Sequence, residues 1–236
     1  MTDPRPAYYA PTGTRIGELT ALLHPPYTMW HLSYVAIGAG LAPSLDTRRL
    51  VGTLMAFMFG LGLAAHAFDE VNDRPLGTQF SDRALWLMGW GGMAAAGAVS
   101  AWGAVIISPW VVGWALGGIL LAVGYGLEWF TMLHSDAGFA AAWGAFPLLA
   151  GYWAQAESLS PAAVAAAIGA ALIAWAQRDL STPARFVRRE TTRADVGFDG
   201  APSWSREYLL ATWERALRAL SWAMAALAIA MVVRPR

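Results

Sequence analysis

Long apolar runs separated by short charged clusters constrain this chain more than any other feature of its sequence. A helix needs about 20 apolar residues to cross a bilayer. Of the 236 residues, 57% are hydrophobic and only 14% are charged, whereas a soluble domain has about 25% charged residues. This pattern predicts an all-α, polytopic transmembrane helical bundle of about seven helices. The candidate spans lie near 27–45, 50–69, 85–107, 109–129, 137–155, 159–177 and 216–233.

The same pattern predicts four parts of the chain. Residues 1–26 form a polar, proline-rich N-terminal segment without the apolar core of a secretory signal. Residues 27–177 form the transmembrane helical core. Residues 178–215 are an Arg-rich cytoplasmic loop with an amphipathic helix, and residues 216–236 are a C-terminal transmembrane helix.

The arginines predict the orientation in the membrane. The chain has no lysine, so its sixteen fixed positive charges are all arginine. With the N-terminus in the cytoplasm, twelve arginines lie on the cytoplasmic side, and only Arg48, Arg49, Arg234 and Arg236 lie on the far side. Because cytoplasmic loops are enriched in arginine, we expect a cytoplasmic N-terminus, in a bacterial inner membrane. The formal net charge of zero gives no indication of nucleic-acid binding.

An acidic stretch follows the second apolar run, in the sequence "LAAHAFDEVNDRPLGT" from Leu63 to Thr78. His66, Asp69, Glu70 and Asp73 are spaced at i, i+3, i+4 and i+7, which places them on one face of a helix. Carboxylates in this setting suit Mg²⁺, a hard cation with oxygen ligands. We therefore predict Asp69, Glu70 and Asp73 as metal ligands and catalytic residues, with His66 as an additional ligand. The alternative is a solvated helix end, although acids at a helix C-terminus oppose the helix dipole.

Two further polar clusters are predicted on the same side of the membrane. The first contains Tyr125, Glu128, His134 and Asp136, and the second contains Asp179 among arginines. Guanidinium groups bind diphosphate through paired hydrogen bonds, although these arginines also fit the positive-inside rule alone. An apolar bundle with this polar cap would hold an isoprenoid chain and its diphosphate. The predicted substrate-binding residues are Arg178, Arg185, Arg188, Arg189, Tyr125 and Glu128, and Asp179 is a further predicted metal ligand.

The acidic stretch resembles the first aspartate-rich motif of the UbiA superfamily of intramembrane prenyltransferases, NDxxDxxxD at the end of the second helix. Aligned to that motif, "DEVNDRPLG" places Asp69 on the Asn, Glu70 on the first Asp and Asp73 on the second, while Gly77 replaces the last Asp. "HPPYTMWHLSYVAIGAGLAP" resembles the opening helix, with His24 in place of the usual Arg. "YGLEWFTMLHSDAGFAAAWGAFPLLAGYWAQ" resembles the segment that begins with Tyr and ends in a Gly/Pro-rich helix, without its usual basic pair.

The resemblance covers roughly residues 24–180 and implies a short, divergent member. It implies an enzyme that binds an isoprenyl diphosphate with Mg²⁺ and transfers or rearranges the prenyl group on a membrane lipid or quinone-type acceptor. The second acidic motif of the family is reduced here to Asp179 among arginines. Arg185, Arg188 or Arg189 would then replace it in neutralising the diphosphate.

Two other functions remain open at this point. In the first, the chain is a non-catalytic relative of the family that serves as a lipid- or quinone-binding subunit of a larger membrane complex. In the second, His134 joins the residues of the acidic stretch in holding iron, manganese or zinc. The chain has only four histidines, which is few for a histidine-rich membrane di-iron enzyme.

Overall fold

The computed structural model describes residues 7, 9, 14–199 and 201–235, without the side chains of Asp73, Phe198, Ala201 and Pro202. These residues are mainly helical. In chain order the α-helical segments are α1 (Arg15–Leu22), α2 (Pro25–Leu41), α3 (Thr47–Phe57), α4 (His66–Asp73), α5 (Asp82–Ile106), α6 (Val111–Gly126), α7 (Asp136–Ala140), α8 (Phe146–Ala156), α9 (Pro161–Glu190) and α10 (Arg206–Val233). A short antiparallel hairpin of β1 (Asp195–Phe198) and β2 (Ala201–Ser205) precedes α10.

Two of the helices contain a π-helical stretch. Met58–Ala65 joins α3 to α4, and Ala141–Ala145 joins α7 to α8. When each joined pair is counted once, the described residues form eight helices. A π-helical turn holds one residue more than an α-turn and rotates every later side chain around the axis. Both stretches lie next to the cleft described below, so they affect which side chains face it.

The predicted helical fold is confirmed, but the predicted number of about seven helices is not. Each of the seven predicted spans overlaps an observed helix, and α1 is additional, within residues 1–26. Among the described residues, four helices are long and apolar enough to cross a membrane, which is consistent with a membrane protein. These four are Thr47–Asn72, Asp82–Ile106, Pro161–Glu190 and Arg206–Val233.

Serine and aspartate side chains fix where several helices begin. The Ser135 hydroxyl accepts a hydrogen bond from Gly138 N at 3.0 Å, at the start of α7. Asp46 accepts from the backbone N–H groups of Arg48 and Arg49 at the start of α3. Such caps satisfy N–H groups that have no partner within the helix. These hydrogen bonds lower the pKa of Asp46.

Glycines bring α2 and α8 into backbone contact at the centre of the bundle. A Cβ atom on Gly38 would lie 2.0 Å from the carbonyl oxygen of Leu148, and one on Gly151 would lie 2.1 Å from that of Val35. Small residues at helix contacts allow this close approach in membrane proteins. The large side chains of Tyr34 and Leu148 are fully buried beside this contact.

Helix α9 continues well beyond the end predicted for its span. The predicted span ends at residue 177, whereas the helix runs to Glu190 with Pro183 in its interior. The arginines that follow residue 177 therefore lie on a helix. Arg185, Arg188 and Arg189 are spaced at i, i+3 and i+4, which turns them to one side of α9. Helix α10 begins at Arg206, ahead of the predicted boundary at residues 215 and 216.

Candidate functional site

A cleft opens at the end of the bundle where α4 ends and the arginines of α9 lie. Its space, with the open mouth included, is about 1050 Å³. It is lined by side chains of α2, α4, α6, α7, α9 and α10. Both π-helical stretches also contribute, with Leu61 from the first and Trp143 from the second. The lining includes Tyr9, His24, Tyr27, His31, Leu61, His66, Asp69, Tyr125, Phe139, Trp143, Ser181, Arg185, Arg188, Arg189, Glu214 and Leu217.

The inner wall of the cleft is aromatic and apolar. Tyr125 stacks on His134 with ring centroids 4.3 Å apart, and its ring meets Trp143 edge to face at 5.2 Å. Phe139 lies beside Tyr125 at 6.2 Å. Trp143 is 7% exposed and belongs to a buried cluster with Leu61. This wall offers apolar surface and aromatic faces, which attract cations, and it includes Tyr125 from the predicted substrate-binding set.

The arginines on the cleft wall differ in their partners. Arg188 is 10% exposed and pairs with Glu214 of α10, with its Nε donating to Oε1 at 3.1 Å. Within the described part of the chain, the guanidinium groups of Arg185 and Arg189 have neither a hydrogen bond nor a carboxylate within 4 Å. Both lie on the exposed side of α9 and line the cleft. They are therefore available to an anion, while Arg188 fixes α9 against α10.

Of the predicted metal ligands in the acidic stretch whose side chains are described, Asp69 and His66 line the cleft, and Glu70 does not. They are three positions apart on one helix, so His66 lies about one turn deeper than Asp69. Asp69 interacts electrostatically with Arg185 and Arg189 across the cleft and with its neighbour Glu70. Among the described residues, the cleft thus combines the Asp69 carboxylate with two arginines that have no ion-pair partner within 4 Å, beside the Arg188–Glu214 pair.

Glu70 points away from the cleft and is completely buried. Its carboxylate accepts hydrogen bonds from the backbone N–H groups of Leu76 at 2.9 Å and Thr78 at 2.7 Å. This pair of bonds closes the loop between α4 and α5, where Gly77 adopts a φ of 63°. The Asp73 side chain, also predicted as a metal ligand, lies outside the described part of the structure.

Three other predicted residues lie outside the cleft lining. Arg178 donates from Nε to Asp136 at 2.7 Å and from Nη2 to the carbonyl oxygen of His134, so it anchors the turn before α7. Glu128 is exposed in a turn with a φ of 55°. Asp179 is exposed on α9 and is not a cleft residue. The cleft therefore brings together His66, Asp69, Tyr125, Arg185, Arg188 and Arg189 from the predicted set.

Two histidines of α2 and its N-cap complete the cleft, and neither was among the predicted site residues. His24 and His31 are separated by seven residues, or about two helical turns, and both line the cleft with His66. The rings of His24 and His66 have centroids 4.3 Å apart. The i, i+7 spacing was a sequence signal that these two residues share a face.

The hydrogen bonds of His31 and His66 indicate which ring nitrogen carries the proton. Nδ1 of His31 lies 2.6 Å from the carbonyl oxygen of Tyr27, and Nδ1 of His66 lies 3.1 Å from that of Gly62. Since a carbonyl oxygen only accepts, each Nδ1 carries the hydrogen and each Nε2 keeps its lone pair when the ring is neutral.

Burial, with smaller contributions from His66, Arg189 and Arg185, lowers the pKa of His24 well below its ordinary value of 6.5.

Among the described residues, the cleft offers a single carboxylate without an arginine partner. No group of three or more His, Cys, Asp or Glu side chains among the described residues could hold a metal ion by itself. Mg²⁺ is commonly held by one or two carboxylates together with substrate phosphates. Asp69 is the cleft carboxylate without an arginine partner within 4 Å, because Glu214 pairs with Arg188.

Comparisons with family models, curated protein sequences and solved structures gave no significant match. Over the described residues, fold and site define a helical protein with four potential membrane spans and a cleft with a basic rim and an aromatic wall. The resemblance to the UbiA superfamily stays a prediction from the sequence.

Proposed function

We propose that the protein lies in a bacterial inner membrane with its N-terminus in the cytoplasm. There it binds an isoprenyl diphosphate in the cleft and transfers or rearranges the prenyl group on a lipophilic acceptor. The observation that carries this proposal is the pair Arg185 and Arg189, which have no ion-pair partner among the described residues and lie above an aromatic, apolar wall. Such a site matches a ligand with a polyanionic head and a hydrocarbon chain.

The charged and aromatic residues of the cleft have separate roles in this proposal. Arg185 and Arg189 bind the diphosphate and neutralise the charge that grows on it as the carbon–oxygen bond breaks. Asp69 would hold a magnesium ion that accompanies the diphosphate, and the ion would add to this neutralisation. The π faces of Tyr125 and Trp143 stabilise the allylic cation.

Transfer to an acceptor also requires a base. The electron pair of the broken bond leaves with the diphosphate, the acceptor bonds to the prenyl carbon, and the acceptor then loses a proton. Nε2 of His66 has the free lone pair needed to take that proton, because Nδ1 is committed to Gly62. Rearrangement without an acceptor would lose the proton from the prenyl group itself.

Binding of geranylgeranyl diphosphate to the protein in nanodiscs tests the first half of this proposal. We expect Arg185→Gln and Arg189→Gln each to weaken binding about ten- to hundredfold, because a hydrogen bond to a charged group contributes about 1.5–3 kcal/mol. Arg215→Gln is the matched control, since Arg215 is exposed on α10 outside the cleft. Equal affinities of all three variants would contradict the proposal.

A non-catalytic lipid- or quinone-binding subunit is the second candidate. The observation that favours it is that Glu70 is committed to the loop and Asp179 lies outside the cleft, which leaves Asp69 as the described unpaired carboxylate. Radiolabelled prenyl transfer in proteoliposomes, with and without chelator, distinguishes the candidates. Tight diphosphate or quinone binding without turnover, together with a co-purifying membrane partner, would favour the subunit.

A further inference from the structure

A second cavity lies on the other side of the buried pair Leu61 and Trp143. It is a groove between α3, α5, α6 and α8 with about 990 Å³ of space, its open side included. Its walls are apolar, with small residues such as Gly60 and Gly97 on the floor and Trp102 and Ile106 at the edge. Trp102 and Ile106 are 49% and 40% exposed, so the groove opens on the outer surface of the bundle. We call it the α5 groove.

The α5 groove and the cleft are separate sites. Leu61 and Trp143 line both cavities, but they are only 6% and 7% exposed and pack together in one core cluster. They form a wall between the two spaces. The polar end of the groove is also far from the cleft, at Arg48 and Arg49 near the start of α3.

The position of this polar end relates it to the opposite membrane surface. Arg48 and Asp69 lie near opposite ends of the same helix, Thr47–Asn72. They are about 30 Å apart along it, since each helical residue advances about 1.5 Å. The hydrocarbon core of a bilayer is also about 30 Å thick. When the cleft opens at one interface, the arginine end of the groove therefore lies at the other.

The two arginines at this end differ in their availability. Arg49 donates to Glu157 at 2.9 Å and to the carbonyl oxygens of Ala154 and Gln155. Arg48 is exposed, and within the described residues no carboxylate lies within 4 Å of its guanidinium. Asp46 interacts with it electrostatically, but the Asp46 carboxylate accepts hydrogen bonds from the backbone at the start of α3. Among the described residues that line the groove, Arg48 is thus the cation that is free to meet an anionic group.

We propose that the α5 groove is a binding site for an acidic phospholipid of the leaflet opposite the cleft. One acyl chain fills the space between α3, α5 and α6, and the phosphate lies at Arg48. An apolar groove at membrane depth is filled by hydrocarbon rather than water, since burying apolar surface is favourable. The inference goes beyond the proposed function; it rests on the membrane placement in that proposal but not on the chemistry proposed for the cleft.

Two leucine substitutions on α5 provide a matched test. A Cβ atom on Gly97 meets nothing within 4 Å, so Gly97→Leu extends into the groove without a backbone clash. Gly91 lies on the same helix with equally open space but is not a groove residue, so Gly91→Leu is the control. Ser100→Leu, one turn from Gly97 on the groove wall, is the second variant if Gly97→Leu does not fold.

The measurement is native mass spectrometry of protein purified in mild detergent, before and after addition of phosphatidylglycerol. We expect one retained phospholipid on the wild type and on Gly91→Leu, and its loss from Gly97→Leu and Ser100→Leu. Arg48→Gln should lose the preference for phosphatidylglycerol over phosphatidylethanolamine, whereas Arg83→Gln, at the exposed start of α5, should keep it.

Several outcomes would overturn this proposal. Equal lipid retention by Gly97→Leu and Gly91→Leu would show that the retained lipid does not lie in the groove. A retained lipid without phosphate would contradict the assignment of a phospholipid. An unchanged headgroup preference in Arg48→Gln would contradict the assignment of the phosphate. Loss of geranylgeranyl diphosphate binding in Gly97→Leu would assign the groove to the prenyl chain instead, while normal binding leaves the cleft proposal unaffected.

Discussion

Asp69 and Glu70 are adjacent acids with different surroundings. Asp69 lines the cleft opposite Arg185 and Arg189, while Glu70 is completely buried and bonded to two backbone N–H groups. Adjacent residues on a helix are separated by about 100° around its axis, because one turn takes 3.6 residues. One acid therefore serves the cleft and the other the loop to α5.

Amide substitution of the two acids should separate these roles. Glu70→Gln places an amide donor where a buried N–H needs an acceptor, which costs about 1–3 kcal/mol. We expect Glu70→Gln to have a lower Tm than the wild type in detergent, measured by tryptophan fluorescence. Asp69→Asn should keep the wild-type Tm and lose the magnesium-dependent part of diphosphate affinity. A large loss of Tm in Asp69→Asn alone would contradict this division.

His24 should make the stability depend on pH. Its folded-state pKa lies well below the ordinary value of 6.5, through burial first and then through His66, Arg189 and Arg185. The unfolded chain therefore binds the proton first as the pH falls, so stability decreases below about pH 6.5. Tyr9, whose hydroxyl lies 2.7 Å from Nδ1 of His24, completes the surroundings of the ring.

The measurement is the Tm between pH 5 and pH 8 for the wild type and for His24→Gln. We expect the Tm of the variant to fall less steeply below pH 6.5, because its side chain does not titrate. Identical slopes of Tm against pH would exclude His24 as the source.

At the scale of the helices, the contact of α2 with α8 depends on two glycines, Gly38 and Gly151, which have no side chain. The backbones approach closely enough at Gly38 and Gly151 that a single added methyl group would overlap a carbonyl oxygen. The two helices carry Tyr34 and Leu148 into the core and His31 into the cleft. Their separation therefore affects both stability and the shape of the site.

Alanine substitutions should show this dependence. Gly38→Ala forces α2 from α8, and overpacking of this kind costs about 1–3 kcal/mol. Gly169→Ala is the control, because its Cβ meets nothing within 4 Å and alanine favours a helix. We expect a lower Tm for Gly38→Ala and an equal or higher Tm for Gly169→Ala. Equal Tm values would mean that the bundle relaxes without cost.

The sequence predicts the helices better than the directions of their polar side chains. Long apolar runs are a local signal, and each predicted span overlaps a helix. The extension of α9 through Pro183 was missed, because proline ordinarily ends a helix. The role of Glu70 was missed because helical spacing groups residues 66–73 on a broad face, whereas the loop that Glu70 bonds is a tertiary feature.

At the scale of the whole molecule, the cleft brings together predicted residues that lie far apart in the sequence. Arg185 and Arg189 lie opposite Asp69 because three helix ends meet at one surface of the bundle. The histidines of α2 required knowledge of how α2 packs against α4, which the sequence alone does not contain. The orientation of this surface toward the cytoplasm rests on arginine counts alone.

Cysteine labelling tests that orientation, since the chain has no native cysteine. Thr192 is exposed at the cleft end, and Ser44 is exposed at the opposite end near Arg48. In intact spheroplasts, a membrane-impermeant maleimide should label Ser44→Cys and not Thr192→Cys. Inverted vesicles should give the reverse pattern, and labelling of Thr192→Cys from outside would place the N-terminus on the far side.

The contact between Tyr9 and His24 has a practical consequence for the design of shortened variants. The Tyr9 hydroxyl lies 2.7 Å from Nδ1 of His24, and both Ala7 and Tyr9 line the cleft. Deleting these residues would therefore remove part of the cleft wall and a contact of the His24 ring. Truncated variants made for crystallisation should keep them.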